Sequence, residues 1–284
     1  MKVSQEDISV VIILYNPSEE DKANVLRISS MYGGAVCDNS ASPAFTGTSI
    51  NKMKYIANGK NIGIAAAQNK ALRQLDNYKF VVMLDQDSRL DDDYPVRIAE
   101  EYIRIKRQFP KLSILGPSLV NGRGGDGSYK SEVHKDVFLS DSFILCPNII
   151  ASGACVSAEV LTDVGLNEER LFIDLVDSEW CWRANSKGYI CGMTTNVSIT
   201  HTIGHKIIKI WKIKDVKSSP FRYFYQTRNY LWMLRRSYVP RQWKINTGVK
   251  YILRFFYLPF CADDGMECWK YACRGFFSGL KNIK

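Results

Sequence analysis

The sequence lacks several features on which metal-binding, secreted and membrane-spanning proteins depend. Its eight cysteines include no C-x-x-C pair, which disfavours a structural zinc site. Several of them lie in apolar runs, as Cys155 does, and buried reduced thiols of this kind are typical of cytosolic proteins. No stretch reaches the roughly 18–20 apolar residues of a membrane-spanning helix, and residues 1–7 are too polar for a signal peptide. We therefore expect a cytoplasmic location.

Three widespread nucleotide-binding and hydrolase motifs are also missing. A dinucleotide-binding chain would place G-x-G-x-x-G after its first strand, but residues 15–20 read Y-N-P-S-E-E. The sequence contains neither the G-x-x-x-x-G-K-[ST] loop of P-loop enzymes nor the G-x-S-x-G turn of α/β-hydrolases. These absences disfavour a dehydrogenase, a P-loop enzyme and a serine hydrolase.

What is present divides into two regions of different charge. The net charge of +9 is uneven, because residues 206–284 hold 17 Lys/Arg against 4 Asp/Glu. We predict a domain at 1–205 that carries the chemistry and a basic, aromatic region at 206–284. The runs IIKIWKIK, FRYFYQTRNYLWMLRR and YILRFFYLPF are typical of amphipathic helices at an anionic membrane surface. Packing on the first domain, a homodimer interface or nucleic-acid binding are the alternatives, and the bulky aliphatic residues disfavour nucleic acid.

Strands and helices are predicted to alternate through the first third of the chain. Apolar, β-branched runs indicate strands at 8–14, 35–37, 54–57 and 79–84, and helical periodicity covers 19–31 and 64–75. This alternation predicts an α/β fold, with a mostly parallel sheet flanked by helices. Ligands of such sheets bind beyond the carboxyl ends of the strands. Tyr15, Asp38, Asp85 and Asp87, which follow predicted strands, should therefore lie around one cleft.

Two acidic segments are candidates for chemistry. Asp85 and Asp87, two residues apart at a strand end, can share one divalent cation with the diphosphate oxygens it bridges, or can form an ordinary acidic turn. Asp177 precedes a predicted helix, where its carboxylate can accept a proton from a hydroxyl or can cap the helix. His201 and His205 are four residues apart, but Gly204 between them disfavours a paired helical zinc site.

The order of these segments resembles the family 2 glycosyltransferases, which have the Rossmann-like GT-A fold. The matching pieces span about residues 9–201 and read VVIILYNP, CDNS, NIGIAAAQN, MLDQDS, SGACVS and FIDLVDSEWCWR, followed by His201. The LDQDS and FIDLVDSEWCWR forms, with YQTRN at 225–229, look most like bacterial rhamnosyltransferases of O-antigen and capsule synthesis. Those enzymes use dTDP-L-rhamnose to extend glycans on a polyprenyl diphosphate carrier.

The resemblance implies a role for each matching residue. The nucleotide sugar would be bound by Tyr15, Asp38, Asn61, Gly63, Asp85, Gln86, Trp180 and Arg228. In this assignment Tyr15 and Asp38 contact the base, Trp180 forms an apolar wall for a sugar and Arg228 holds the diphosphate. Asp87 and His201 would ligate Mg²⁺ or Mn²⁺, and Asp177 would be the catalytic base. Asp174 and Glu179 are further carboxylates of the same segment, but Asp177 occupies the position of the family base.

The implied activity is inverting, metal-dependent transfer of a sugar, L-rhamnose, to a lipid-linked oligosaccharide. The processive signature Q-x-x-R-W is missing after His201, which favours the addition of one or a few sugars. The same machinery could use UDP-galactose, UDP-glucose or UDP-galactofuranose. A non-enzymatic module that binds nucleotides or nucleic acid is the alternative of another class. The enzyme is expected to lie peripherally on the cytoplasmic face of the inner membrane, with a homodimer as a further possibility.

Overall fold

Strands and helices alternate along the chain in a computed structural model that describes residues 2–121, 137–201, 207–210, 213–216, 218–260 and 264–281. The Gly-rich residues 121–130 predict a loop, and all of them except Asn121 lie outside this part. The strands are β1 Ile8–Leu14, β2 Gly33–Asp38, β3 Ser49–Ile50, β4 Met53–Ala57, β5 Phe80–Asp85, β6 Leu112–Asn121, β7 Val137–Ser140, β8 Phe143–Cys146, β9 Cys155–Ser157, β10 Ile190–His201, β11 Ile207–Ile210 and β12 Ile213–Val216. The helices are α1 Glu19–Met31, α2 Ile64–Leu72, α3 Tyr94–Gln108, α4 Ala158–Val164, α5 Val176–Ser186, α6 Pro220–Leu234, α7 Arg241–Tyr257 and α8 Gly265–Lys281.

Ten of these strands form one sheet in the order β3-β4-β2-β1-β5-β9-β6-β10-β8-β7. The four neighbouring strands β4, β2, β1 and β5 run parallel to one another. Strand β9 is antiparallel to both of its neighbours, β5 and β6, and β7 is antiparallel to β8. The predicted α/β class is confirmed. The sheet is mixed rather than mostly parallel, because β6 and β10 pair in parallel but β3, β9, β8 and β7 add antiparallel pairs.

The sheet is buried on both faces, which explains the continuous apolar run of β1. All seven residues of that strand are buried, and a strand covered on both faces has no polar side. Helices α1 and α3 pack on one face of the sheet, while α2, α4 and α5 pack on the other. Gly165 ends α4 with a φ of 89°, as its predicted role as a helix stop requires.

The carboxyl ends of the parallel strands bring the predicted polar residues together. Leu14 of β1 pairs with Asp38 of β2, and Ile13 pairs with Asp85 of β5. Asp38 and Asp85 therefore end neighbouring strands of one sheet edge. The cleft beyond this edge is the place that the strand pattern predicts for a ligand.

The C-terminal region contains a hairpin and three helices. We expected the run IIKIWKIK to be helical, but its described residues, 207–210 and 213–214, lie in strands β11 and β12, so that prediction is wrong. The apolar and basic residues of this run have the period of a strand, not that of a helix. Helices α6 and α8 cross closely, because a Cβ on Gly275 would lie 2.3 Å from the Phe224 carbonyl oxygen. Among the described residues no helix is long and apolar enough to cross a membrane.

Candidate active site

Asp177 is the second residue of α5 and lies half-buried. The pKa of its carboxyl is raised to about 6, mainly by burial and also by the negative charge of Asp85, while a backbone hydrogen bond from Ala151 opposes the rise. Two carboxylates from distant parts of the sequence therefore lie close enough for Asp85 to influence the ionisation of Asp177. A carboxyl with a pKa near 6 is mostly ionised at neutral pH and is a stronger base than an ordinary aspartate.

The other two carboxylates of this segment are held by cations. Asp174 accepts hydrogen bonds from Arg222 of α6, with Nη2 at 2.5 Å from Oδ1. Glu179 is buried, where it accepts from Arg183 at 2.9 Å and from the Tyr238 hydroxyl at 2.6 Å. These hydrogen bonds fix the positions of both carboxylates. The geometry therefore favours Asp177 over Asp174 and Glu179 as the base.

The turn after β5 presents the second acidic pair. The backbone N–H of Asp85 donates to the Ser88 hydroxyl at 3.1 Å, which stabilises the turn. Gln86 accepts from the backbone N–H of Tyr15 at 2.8 Å, so its side chain ties this turn to the loop after β1. Asp87 is exposed. This gives the predicted metal-binding pair one half-buried and one exposed carboxylate.

These carboxylates suit a hard cation better than a closed protein site. In the described residues no group of three or more His, Cys, Asp or Glu side chains could hold a metal. Mg²⁺ usually takes only one or two carboxylates and completes its shell with water and phosphate oxygens. Asp85 and Asp87 fit that pattern. His201, the other predicted ligand, ends β10, and its side chain lies outside the described part of the chain.

The predicted base-contacting residues differ in accessibility. Tyr15 is 53% exposed at the end of β1 and free to stack on a ligand. Asp38 is fully buried and accepts from the Tyr55 hydroxyl at 2.6 Å and from the backbone N–H groups of Ser40 and Ala44, each at 2.8 Å. Although burial opposes it, these hydrogen bonds hold the pKa of the Asp38 carboxyl below its usual value. Through these hydrogen bonds Asp38 fixes the conformation of the loop that follows β2.

Gly63 packs closely against Phe172. Its φ is 86°, and a Cβ there would lie 2.7 Å from the ring and the carbonyl oxygen of Phe172. That carbonyl accepts from the backbone N–H of Ile64 at 2.7 Å, which caps the start of α2. Asn61 is exposed, and its side chain accepts from the Gly63 N–H at 2.9 Å. The close approach predicted at Gly63 is thus made by the protein itself.

Two residues with predicted ligand roles also make contacts within the protein. Trp180 is 6% exposed, its Nε1 donates to the Gly165 carbonyl at 2.7 Å, and it lines a small cavity together with Asp177. It faces inward because the apolar face of α5 packs on the sheet. Arg228 donates to the carbonyl oxygens of Arg170 and Leu171 at 2.6 and 3.0 Å. These hydrogen bonds attach Arg228 to the segment that precedes Asp177, and the ligand roles of both residues stay predictions.

An unpredicted contact between α6 and the segment before α5 involves Asn229. This side chain is fully buried, and its Nδ2 lies 2.9, 2.8 and 3.0 Å from the carbonyl oxygens of Leu171, Ile173 and Asp174. The same segment has positive φ angles at Phe172, Asp174 and Leu175. Such angles are costly for side chains larger than glycine and persist where surrounding contacts enforce them. The sequence offered one indication of this contact, namely a polar asparagine among the aromatic residues around YQTRN at 225–229.

Comparison with solved structures supports the fold assignment. TarS of S. aureus aligns with a TM-score of 0.56 at 14% identity over 96% of this chain, which spans 49% of that protein. A shorter form, TarS 1-349 in complex with UDP-GlcNAc, has the same TM-score and is covered to 81%. GalNAc-T7 with UDP, GalNAc and Mn²⁺ gives 0.54 at 12% identity, and the chain covers 57% of it. At these identities the likeness shows the fold, which is that of GT-A enzymes.

Sequence comparison gives the activity. No family model matches the chain. The dTDP-rhamnosyl transferase RfbF of Shigella flexneri is 29% identical over 82% of both chains. The low-salt glycan biosynthesis hexosyltransferase Agl10 of Haloferax volcanii is 26% identical over 69% of this chain and 67% of its own. The chain is a GT-A glycosyltransferase.

Proposed function

We propose that this glycosyltransferase moves L-rhamnose from dTDP-L-rhamnose to an acceptor hydroxyl with inversion of configuration. The observation that carries the proposal is the pairing of Asp85 and Asp177 at the sheet edge, with the Asp177 pKa raised to about 6. The similarity to a dTDP-rhamnosyl transferase supports the choice of donor. Arginines hold Asp174 and Glu179, which leaves Asp177 as the candidate base of its segment, and a single displacement needs one such base.

In the proposed reaction Asp177 acts as the general base. Its carboxylate accepts the proton of the acceptor hydroxyl while that oxygen forms a bond to the anomeric carbon. The bond from the anomeric carbon to the diphosphate oxygen breaks, and dTDP leaves with the electron pair. Attack from the face opposite the leaving group inverts the configuration, by the logic of a single-displacement glycosidase in which a sugar hydroxyl replaces water.

A divalent cation, Mg²⁺ or Mn²⁺, would be held by Asp87 with Asp85 beside it, and His201 is the further ligand that the family resemblance implies. When bound, such an ion stabilises negative charge on a leaving diphosphate. Gln86 keeps the turn that carries both carboxylates fixed to the loop of Tyr15. Tyr15, exposed at the end of β1, offers a ring for the nucleotide base.

The proposed acceptor is a lipid-linked oligosaccharide on the cytoplasmic face of the inner membrane. The basic residues of 206–284 and the exposed aromatic side chains of α7 and α8 support this placement, because interfacial helices combine both features. A homodimer through the same helices is the competing use of that surface.

A donor screen tests the proposal. Thermal melting should rise with dTDP-L-rhamnose in the presence of Mg²⁺ or Mn²⁺ more than with UDP-galactose, UDP-glucose or UDP-galactofuranose. The stabilising donor is then used in a transfer assay, and NMR of the product reports the anomeric configuration. Stabilisation by a UDP-sugar alone would refute the rhamnosyl donor, and retention in the product would refute the single displacement. Binding of oligonucleotides without any effect of nucleotide sugars would favour the non-enzymatic alternative.

A further inference from the structure

An apolar groove lies between α6, α7 and α8. Its volume is about 610 Å³, and apolar and aromatic side chains make up most of its lining. Thr227 and Leu231 contribute the wall from α6, on a different face of that helix from Asn229. One helix therefore separates the groove from the segment that leads to Asp177. An α-helix with its side chains is about 10–12 Å thick, so a molecule in the groove would lie near the active-site loop.

Helix α7, which forms one side of the groove, exposes its apolar face. Ile245, Val249, Ile252 and Phe256 follow helical spacing and are 62%, 52%, 62% and 69% exposed. The buried residue of this helix is Arg254, which donates to the Gln226 side chain at 2.9 Å. A surface helix of a soluble domain normally shows the opposite arrangement. The apolar stripe and the groove beside it therefore indicate contact with a large apolar molecule.

We propose that the groove binds the hydrocarbon chain of a lipid with an anionic head, namely the isoprenoid chain of the lipid-linked acceptor. This inference rests on the proposed function and adds a site to it. Charge supports a lipid of this kind, because the two helices that flank the groove carry Lys250 on α7 and Lys270, Arg274 and Lys281 on α8. The volume lies in the range of small-molecule pockets, about 300–1,000 Å³.

A matched pair of isoleucines on α7 separates chain binding from general membrane contact. Ile245 and Ile252 are equally exposed on one helix, but Ile252 lines the groove and Ile245 does not. Glutamate at either position puts the same charge on the same apolar face. We expect Ile252→Glu to weaken binding of farnesyl diphosphate about tenfold or more and Ile245→Glu to leave it unchanged. Cys273→Phe, which adds a ring inside the groove, should weaken it similarly.

The measurement is calorimetric titration of the full chain with farnesyl diphosphate, farnesol and inorganic diphosphate, with melting curves to confirm folding. Binding of farnesol but not of inorganic diphosphate supports recognition of the chain. Equal affinities of the wild type, Ile252→Glu and Cys273→Phe for farnesyl diphosphate would refute the inference. So would loss of self-association in Ile252→Glu without loss of farnesyl binding, because a second copy would then occupy the groove.

Sugar transfer to a water-soluble acceptor without a lipid chain distinguishes failure of the inference from failure of the proposed function. An active wild type whose groove variants bind farnesyl diphosphate equally well would leave the proposed transfer intact and remove the groove site. If the wild type transferred no sugar but still bound farnesyl diphosphate in a way that the groove variants weaken, the groove site would stand and the proposed transfer would be refuted.

Discussion

At the scale of single residues, Asp177 combines burial with a neighbouring negative charge. Both factors favour its protonated form, so keeping this carboxylate ionised at neutral pH costs folding free energy. An ordinary exposed aspartate would be more fully ionised but would be a weaker base. The environment of Asp177 thus lowers the stability of the folded protein and makes the carboxylate a stronger base, as is common for active-site carboxyls.

Replacing this carboxyl tests both halves of that exchange. We expect Asp177→Asn to lose turnover by about 10²–10⁴-fold, because the base is removed, while donor affinity measured by calorimetry stays nearly unchanged. A variant with wild-type turnover would refute the assignment. Glu179→Gln is an unsuitable control because Glu179 is paired, whereas the exposed Asp141→Asn carries the same chemical change away from the site.

The same substitution should stabilise the fold at alkaline pH. The folded-state pKa is raised from 3.8 to about 6, so the stabilising effect of protonation is complete below pH 3.8 and is lost as pH rises through 6. At about pH 8, Asp177→Asn should therefore raise the free energy of unfolding by up to about 3 kcal/mol. Denaturant titrations at alkaline and at acidic pH check this, and an equal change at both would contradict it.

Activity should depend on pH through the same group. Because the base must be ionised, kcat/KM should fall about tenfold per unit below pH 6 and level off above neutrality. The profile of the wild type is compared with that of Asp177→Asn, whose residual activity should lack this acidic limb. An acidic limb that persists in the variant would assign it to another group.

The exposed aspartate of the turn after β5 should matter only when metal is present. We expect Asp87→Ala to weaken donor binding in Mg²⁺ or Mn²⁺ to the level of the chelator-treated wild type, because a carboxylate ligand is lost. Asp141→Ala, in another exposed turn, is the control and should bind the donor normally. Calorimetry that shows equal donor affinity for Asp87→Ala and the wild type would refute the metal role.

At the scale of elements, periodicity predicted strands and helices well and predicted contacts between them poorly. Strand β1 and helix α1 have the predicted bounds, since a buried strand and a capped amphipathic helix are written in local sequence. The bonds of Asn229 to carbonyls of the 171–174 segment join residues more than fifty positions apart, and no local pattern encodes them. The burial of Trp180 was likewise not evident from its place in the motif, because it depends on which face of α5 packs on the sheet.

Helix α6 should therefore control turnover without touching substrate. Asn229→Ala removes the donor to the Ile173 and Asp174 carbonyl oxygens, whereas the Leu171 carbonyl keeps its hydrogen bond from Arg228. The loss should cost about 1–3 kcal/mol of stability for each group that stays buried and unpaired. Loosening of the segment before Asp177 should lower kcat by about 10–100-fold with little change in donor affinity. Asn246→Ala, on the exposed side of α7, is the control. If folded Asn229→Ala kept the kcat of the wild type, the 171–174 segment would not need Asn229 to keep its conformation, and the prediction would be wrong.

At the scale of the whole molecule, the described helices α7 and α8 present cations and exposed aromatic residues together. Each Lys or Arg near an anionic bilayer contributes about 1 kcal/mol, so Lys270→Gln with Arg274→Gln should weaken binding by about 2 kcal/mol. Flotation with anionic vesicles measures this, and Lys106→Gln with Arg107→Gln on α3 is the charge-matched control. Equal flotation of both pairs, or flotation insensitive to salt, would contradict membrane contact through these helices.

The division predicted after residue 205 stays a prediction, but the position of α6 bears on how the chain can be recombined. Leu171, Val176 and Trp182 share an apolar cluster with Met233 of α6 and Val239 beyond it. Consider a hybrid in which all residues after 205 come from a relative. It would lose the native α6 contacts that hold the segment before Asp177, in addition to exchanging helices α7 and α8. A junction between Val239 and the start of α7 would keep that segment with its own α6, and the groove of such a hybrid would join α6 of one parent to α7 and α8 of the other.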